Sequence, residues 1–248
     1  MRKTILITGA SSGLGLGMAR EFARNGHDLI LCARRVEALQ EVQAELRAAA
    51  PTSRIEIAAL DVNDHEAVFR VFREQQAAFG QLDRIIVNAG IGKGVAIGKG
   101  GFKANRETAM TNFVAALAQC EAAVEIFRAQ NAGHLVTISS VSAVRGFRGA
   151  LTTYAATKAA LANLSEGIRV ELLHTPIKVS TILPGFILTD INREIKNAPF
   201  RVSLEAGCKA LVKTIDKEPE EAFVPGWPWS AMARLMKTLP LSQLRKFS

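Results

Sequence analysis

Short apolar runs alternate along the chain with longer stretches in which apolar residues recur at helical spacing. The apolar runs predict strands at 3–8, 28–33, 54–60, 84–89, 134–139, 178–183 and 222–225. The helical stretches predict helices at 13–25, 36–49, 64–79, 105–130, 153–173 and 203–216. Strands that are continuously apolar, rather than alternating, are typical of burial on both faces. The alternation therefore predicts an α/β fold, a doubly wound parallel sheet of about seven strands with helices on both faces.

No proline- or serine-rich linker divides the 248 residues, and a chain of this length can build one large core. We expect a single domain over residues 1–248, ending in a basic amphipathic tail at 226–248. Ligands of open parallel sheets bind at the carboxyl ends of the strands. The residues that follow each strand are therefore the candidates for a functional site.

Composition and charge limit the kinds of partner and of site that we expect. Lysines and arginines are spread over the whole length despite a net charge of +8, so we expect no nucleic-acid partner. Cys32, Cys120 and Cys208 are far apart and lack ligand spacing, which predicts reduced thiols in a cytoplasmic protein and no metal site. The apolar runs are too short for a signal peptide or a membrane span.

The segment after the first strand, "TGASSGLGLG", carries Gly9, Gly13 and Gly15. Glycines let the backbone approach a pyrophosphate, and the amides of the following helix stabilise its charge. The spacing is a variant of the G-x-G-x-x-G fingerprint rather than a match to it. Because the turn lies between a buried strand and a helix, it indicates dinucleotide binding more than mere chain reversal.

The second strand is followed by Ala33, Arg34 and Arg35. An NAD site needs an acidic residue here, roughly 20 positions after the glycines, for the ribose 2′-hydroxyl. Arginine forks bind phosphate oxygens instead, so a 2′-phosphate and hence NADP(H) is predicted. The alternative is that both arginines are simply solvated at the start of a helix.

Tyr154 is the chain's one tyrosine, and Lys158 lies four residues after it, on the same helix face. A phenol titrates near ~10, and a nearby ammonium is expected to lower that pKa toward neutrality. Ser140, at the end of the fifth strand, would stabilise charge that develops on a substrate oxygen. Beside a dinucleotide site, the three residues indicate acid–base catalysis of hydride transfer rather than surface decoration.

Together these motifs resemble the short-chain dehydrogenase/reductase family over roughly residues 3–225. "TGASSGLG" resembles its cofactor turn, "NAG" its strand-four turn, "ISS" its serine, "YAATK" its tyrosine–lysine pair and "PGFILT" its nicotinamide-contacting stretch. The resemblance implies a Rossmann-like fold, Tyr154 as general acid/base, Lys158 on the nicotinamide ribose and Ser140 on the substrate oxygen. Asn112, in "AMTNFVAAL", would relay protons through water to Lys158.

The same resemblance implies the residues that hold the cofactor. They are Gly9, Ser11, Ser12, Gly13, Leu14, Gly15, Arg34, Arg35, Asp61, Val62, Asn88, Ala89, Gly90, Tyr154, Lys158, Pro184, Gly185, Ile187 and Thr189. One departure concerns the serine, because Ser140 precedes Tyr154 by fourteen positions where thirteen is commoner in the family. Whether Ser139 shares the role of Ser140 therefore stays open.

The segments after "PG" give the least specific signals. Phe186, Ile187 and Leu188 either line an apolar substrate pocket or belong to the core, in a stretch placed where a lid would close. No acidic residue follows Glu221, and apolar residues of the tail recur at helical spacing, at Trp227, Trp229, Met232, Leu235, Met236 and Leu239. Such a tail packs over the pocket or against another subunit, or lies on an anionic membrane surface.

The function favoured is an NADP(H)-dependent reductase or dehydrogenase acting on a small apolar ketone or secondary alcohol. The alternative is a non-catalytic NADP(H)-binding sensor or scaffold, whose signature would be a broken set of serine, tyrosine and lysine. Long apolar helices at 105–130 and 153–173, together with the resemblance, predict a homodimer or homotetramer.

Overall fold

The computed structural model describes residues 3–189 and 199–245. Seven parallel strands form one sheet. They are β1 Thr4–Thr8, β2 Asp28–Ala33, β3 Ile55–Ala59, β4 Arg84–Val87, β5 Gly133–Ile138, β6 Ile177–Pro184 and β7 Glu221–Val224. Their order across the sheet is β3-β2-β1-β4-β5-β6-β7. The doubly wound parallel sheet predicted from the sequence is confirmed.

Helices cover both faces of this sheet. Those described are α1 Gly13–Arg24, α2 Val36–Ala49, α3 His65–Phe79, α4 Phe102–Ala109, α5 Ala115–Gln130, α6 Leu151–Glu171, α7 Leu204–Ile215, α8 Gly226–Thr238 and α9 Leu241–Leu244. Helices α1, α2 and α7 pack on one face, and α3, α5 and α6 pack on the other. Among the described helices, none is both long and apolar enough to cross a membrane.

Most elements differ from the sequence-based bounds by one or two residues, and two of the differences bear on the site. Strand β4 ends at Val87 rather than at residue 89, because the backbone N–H groups of Asn88 and Ala89 donate to Thr8 Oγ1 at 3.1 and 3.2 Å instead of continuing the sheet. The helix predicted at 105–130 begins earlier, at Phe102, and is interrupted by a π-helical turn over Met110–Val114. Such turns are frequent at functional sites.

A buried polar network lies at the amino ends of the strands, away from the predicted site. Arg84, the first residue of β4, is 1% exposed. Its Nε donates to His134 Nδ1 at 2.9 Å, and its Nη1 donates to Asp216 Oδ1 at 2.7 Å. His134 Nε2 lies 2.8 Å from Ser180 Oγ. The network joins β4, β5, β6 and the end of α7.

Helix α8, in the predicted tail, packs back onto the domain. Its buried face carries Trp229, Ala233 and Met236. Arg145, which follows the 3₁₀ turn Val141–Val144, caps the far end of this helix. Its Nη1 donates to the carbonyl oxygens of Met236, Lys237 and Leu239 at 2.8, 2.8 and 3.3 Å. Trp229 therefore packs against the domain of its own chain, but it does not line the cleft.

Candidate active site

A cleft of about 650 Å³ opens at the carboxyl ends of the strands, where ligands of such sheets bind. Almost all of the predicted site residues line it. They are Gly9, Ser11, Ser12, Gly13, Leu14, Arg34, Arg35, Asp61, Val62, Asn88, Ala89, Gly90, Ser140, Tyr154, Lys158, Pro184, Gly185, Ile187 and Thr189. Gly15 and Asn112 do not line the cleft.

The glycine turn leads from β1 into α1. Gly9 has a φ of +67°, and a Cβ on it would lie 3.0 Å from Ala89 Cα, so a side chain is excluded on both counts. Ser12 caps α1 without a side-chain hydrogen bond, and the first turn holds no acidic residue. The N–H groups that begin this helix therefore remain available to an anion.

Gly15 has a packing role rather than the predicted place in the phosphate cradle. It is buried under the turn, where a Cβ would lie 2.3 Å from Gly9 O and 2.7 Å from Asn88 Nδ2. The Asn88 amide donates to Thr8 O at 2.8 Å, which ties the ends of β1 and β4 together. Asn88 thus serves both as a strand cap and as part of the cleft wall.

Two exposed arginines stand at the end of β2. Arg35 Nη2 donates to Ser11 Oγ at 3.2 Å, and Arg34 lines the same part of the cleft. The nearby Asp61 carboxylate is occupied within its own turn, because its Oδ1 accepts from Asn63 N at 3.0 Å and Asn63 Nδ2 at 3.1 Å. The arginines therefore bring positive charge next to the glycine turn.

Ser140 and Tyr154 meet at the opposite end of the cleft. Both side chains line the cleft, and the neighbouring Ser140 hydroxyl lowers the pKa of the Tyr154 phenol. Burial has the larger effect, however, and the pKa of Tyr154 is raised overall. Since burial disfavours the charged form, Tyr154 is a protonated phenol at neutral pH in this structure.

Lys158 affects the pKa of the Tyr154 phenol less than the spacing of the two residues suggested. Its Nζ lies 5.9 Å from the centroid of the Tyr154 ring and donates to Ile138 O at 2.8 Å. Burial lowers the pKa of Lys158 to about 8. The expected lowering of the Tyr154 pKa by the ammonium is not seen here: burial raises that pKa, and the group that lowers it is Ser140.

The structure separates the two serines. Ser139 Oγ donates to Lys158 O at 2.8 Å, so its hydroxyl is directed to the backbone of α6. Ser140 Oγ instead accepts from Ser142 N and Ser142 Oγ, and Ser140 is the serine whose hydroxyl lowers the pKa of the Tyr154 phenol. The hydroxyl beside the phenol is that of Ser140.

Asn112 lies behind the cleft wall, inside the π-helical turn. It is 1% exposed. Its Oδ1 accepts from Ile91 N at 2.8 Å, and its Nδ2 donates to Ile91 O at 2.9 Å. A Cβ on Gly90 would lie 3.2 Å from Asn112 Oδ1 and 3.5 Å from Lys158 Nζ. Asn112 thus fixes the loop after β4 close to the lysine.

Several cleft residues escaped the sequence-based prediction. Those with polar or flexible side chains are Asn63, Lys93, Arg106, Glu107, Met110 and Thr111. Lys93 Nζ pairs with Glu107 Oε2 at 3.2 Å, and Thr108 Oγ1 donates to Lys93 O. The glycine-rich loop after β4 is thus fastened to α4. Arg106 and Glu107 precede Met110 by four and three positions within the predicted helix 105–130, so this helical spacing was the available signal.

The "PGFILT" stretch divides between the cleft and the core. Ile187 is buried and pairs with Val202 in an isolated bridge, so its side chain belongs mainly to the core. Phe186 packs against Trp229 with ring centroids 5.6 Å apart. A Cβ on Gly185 would lie 2.0 Å from Trp229 Nε1, so a residue with a side chain would clash with the indole at this position. Of the predicted lid at 186–200, residues 190–198 lie outside the described residues.

Comparisons with known proteins agree with this geometry. The family described as short chain dehydrogenase matches residues 3–199. An uncharacterized oxidoreductase of Mycobacterium tuberculosis is 49% identical over 247 residues, 100% of this chain and 98% of that protein. The NADP-dependent 3-hydroxy acid dehydrogenase of Schizosaccharomyces pombe is 32% identical over 195 residues, 77% of this chain and 73% of that protein. A solved structure, the closed form of serine dehydrogenase complexed with NADP+, has a TM-score of 0.78 at 26% identity, covering 89% of this chain and 93% of that one.

Proposed function

The chain belongs to the short-chain dehydrogenase family of oxidoreductases, and we propose that it transfers a hydride between NADP(H) and the carbonyl or secondary alcohol of a small apolar substrate. The observation that carries this proposal is that Ser140, Tyr154 and Lys158 together line one end of the cleft at the carboxyl ends of the strands. The other end of the cleft carries the glycine turn and two arginines.

The residues of the cleft fit NADP(H). Gly9 and Gly13 both have positive φ values, +67° and +56°, and the uncapped start of α1 suits the pyrophosphate. Arg35, held beside Ser11 at 3.2 Å, and Arg34 would bind the 2′-phosphate through their planar forks. The S. pombe relative is NADP-dependent by its name, and the serine dehydrogenase structure contains NADP+.

The chemistry divides between the cofactor and the chain. When bound, the reduced nicotinamide supplies a hydride to the carbonyl carbon of the substrate. Tyr154 donates its phenolic proton to the carbonyl oxygen, and Ser140 donates a hydrogen bond to the same oxygen as negative charge develops. The Lys158 ammonium stabilises the phenolate that remains, and Tyr154 recovers a proton from solvent before the next turnover.

Substitution of Tyr154 tests the proposal. Purified enzyme is assayed for NADPH oxidation against a panel of ketones, diketones and quinones. Tyr154→Phe should abolish turnover and leave the NADPH dissociation constant within about twofold, because phenol removal deletes the acid but not the phosphate contacts. A Tyr154→Phe enzyme with wild-type turnover would contradict the mechanism. Tight NADPH binding with no turnover on any substrate would favour the non-catalytic sensor.

The arginines provide a separate test of the cofactor. Arg34→Gln with Arg35→Gln should weaken NADPH binding by about tenfold to a hundredfold and leave NADH binding nearly unchanged, because only NADPH carries the 2′-phosphate. Arg70→Gln, on the exposed surface of α3, is the matched control for loss of positive charge. Equal losses for both cofactors would overturn the NADP preference.

The exposed face of α8 supports peripheral contact with an anionic membrane. Trp227 is 79% exposed and Leu235 is 50% exposed, and Arg234, the residue before Leu235, is also exposed. Leu241, 75% exposed, follows in α9. Such a mixture of large apolar and basic residues suits a lipid interface.

Point variants test this contact without removing the buried Trp229. In co-sedimentation with phosphatidylserine vesicles, Trp227→Ser with Leu235→Ser should lose binding that the wild type shows. Ile97→Ser, which changes an exposed apolar residue of the loop after β4, is the control. Equal binding by all three proteins, or none by the wild type, would reject the membrane contact.

We also propose a homodimer or homotetramer. Val170 and Leu173, at the end of α6, are both exposed, and an apolar pair of this kind favours burial against a second copy. Light scattering after size exclusion should give a multiple of 26.7 kDa. Val170→Glu with Leu173→Glu should reduce that mass, and an unchanged mass would place the interface elsewhere.

A further inference from the structure

Ser142 touches the catalytic serine although it does not line the cleft. The 3₁₀ turn Val141–Val144 begins directly after Ser140, which caps it. Ser142 N donates to Ser140 Oγ at 3.1 Å, and Ser142 Oγ donates to the same oxygen at 3.0 Å. Ser140 therefore accepts two hydrogen bonds from one residue.

These two bonds restrict what Ser140 can do. A serine hydroxyl has two acceptor lone pairs and a single proton to donate. With both lone pairs engaged by Ser142, Ser140 has only its own proton for a further bond. The group beside it in the cleft is the Tyr154 phenol, so the proton is directed toward the place where a substrate oxygen would sit.

We propose that Ser142 is a positioning residue that holds Ser140 in the role of hydrogen-bond donor to the substrate oxygen. This inference rests on the proposed function. A carbonyl oxygen accepts hydrogen bonds and gains negative charge as hydride arrives, so a Ser140 hydroxyl turned to accept would oppose the reaction. Ser142 removes that unproductive orientation before substrate binds.

The isosteric pair Ser142→Thr and Ser142→Val separates the hydroxyl from the shape of the side chain. Ser142→Thr keeps the hydroxyl and should retain kcat within about twofold. Ser142→Val keeps only the backbone donor, and the loss of one hydrogen bond should reduce kcat by about threefold to tenfold. The KM for NADPH should stay unchanged in both variants, because Ser142 does not line the cleft.

A double-mutant cycle tests whether Ser142 acts through Ser140. Single-turnover hydride transfer is measured for Ser140→Ala, Ser142→Val and the combined variant. If Ser142 acts through Ser140, Ser142→Val should have no further effect once Ser140 is alanine. Ser53→Ala, a buried serine between α2 and β3, is the control and should be additive with Ser140→Ala.

The outcomes distinguish this inference from the proposed function. Wild-type turnover by Ser140→Ala would contradict the proposed function itself. A large loss in Ser140→Ala, with Ser142→Val and Ser142→Thr equally active, would overturn only the role of Ser142. Additive losses in the cycle would also overturn it, because they would show that Ser142 acts independently. Thermal melting of each variant shows whether a loss of rate reflects folding instead, and a Ser142→Val enzyme that melts earlier but keeps its single-turnover rate would count against the inference.

Discussion

Replacing Lys158 with methionine should stabilise the protein while removing its activity. Lys158 is 4% exposed, and its Nζ has the Ile138 carbonyl as acceptor at 2.8 Å. Burial lowers its pKa from 10.5 to about 8, which corresponds to about 3 kcal/mol against the charged form. Loss of the hydrogen bond to Ile138 offsets about 1 kcal/mol. The variant should therefore be more stable than the wild type by about 2 kcal/mol at pH 7.

The shifted pKa of Lys158 also determines how the stability of the wild type changes with pH. Below about pH 8 the folded and unfolded chains both hold the Lys158 proton, so the full cost of burial is present. Between about pH 8 and 10.5 the unfolded chain keeps the proton and the folded chain releases it. Wild-type stability should rise with pH in this window, and the advantage of the variant should shrink.

Urea unfolding followed by tryptophan fluorescence measures the difference at about pH 7 and about pH 9.5. Lys209→Met, an exposed lysine of α7, removes the same charge and should change stability little at either pH. Turnover by Lys158→Met should fall by about a hundredfold or more. A variant that is less stable at pH 7, or whose advantage grows toward pH 9.5, would refute the reasoning.

Three further predictions follow from the contacts. Because burial raises the pKa of Tyr154, carbonyl reduction should keep its rate at neutral pH, whereas alcohol oxidation should accelerate toward alkaline pH; flat profiles in both directions would contradict this. Gly185→Ala should lower the free energy of unfolding in urea by about 1–3 kcal/mol, since its Cβ would lie 2.0 Å from the Trp229 indole. Adding Trp229→Phe should restore part of that stability. Arg84→Met should lower the free energy of unfolding by about 3–5 kcal/mol. It should leave the kcat of the folded enzyme unchanged, because His134 and the other partners of Arg84 lie at the opposite end of the sheet. A normal unfolding midpoint would show that the network contributes nothing to stability.

The strands and most of the cleft could be predicted because their signals are local. A continuous apolar run determines a buried parallel strand, and the residues after each run then meet at one edge of the sheet. The glycine turn, Arg34 and Tyr154 were found in this way. The shortened end of β4 could not be, since it depends on Thr8 accepting two N–H groups from a segment about 80 residues away.

Other features depend on how deeply a side chain is buried and on where its polar group points, and the spacing of residues along the chain gives neither. The Tyr154–Lys158 spacing indicates a shared face, but not that burial raises the pKa of the phenol. The Ser139–Ser140 pair gives no direction for either hydroxyl until the turn after β5 is known. Likewise, helical spacing in the tail predicts one buried face, but not that Trp229 lies behind Gly185 while Trp227 faces outward.

The match to the family ends at residue 199, yet the indole behind the Pro184–Gly185 turn and the carbonyls held by Arg145 come from α8. The segment after residue 199 thus supports the end of the cleft at Pro184–Gly185 from outside. Exchanging C-terminal segments between relatives would therefore alter the packing around the Pro184–Gly185 turn, even though the side chains proposed for catalysis stayed in place. Fusion tags are better joined beyond Leu239, the last residue that Arg145 holds.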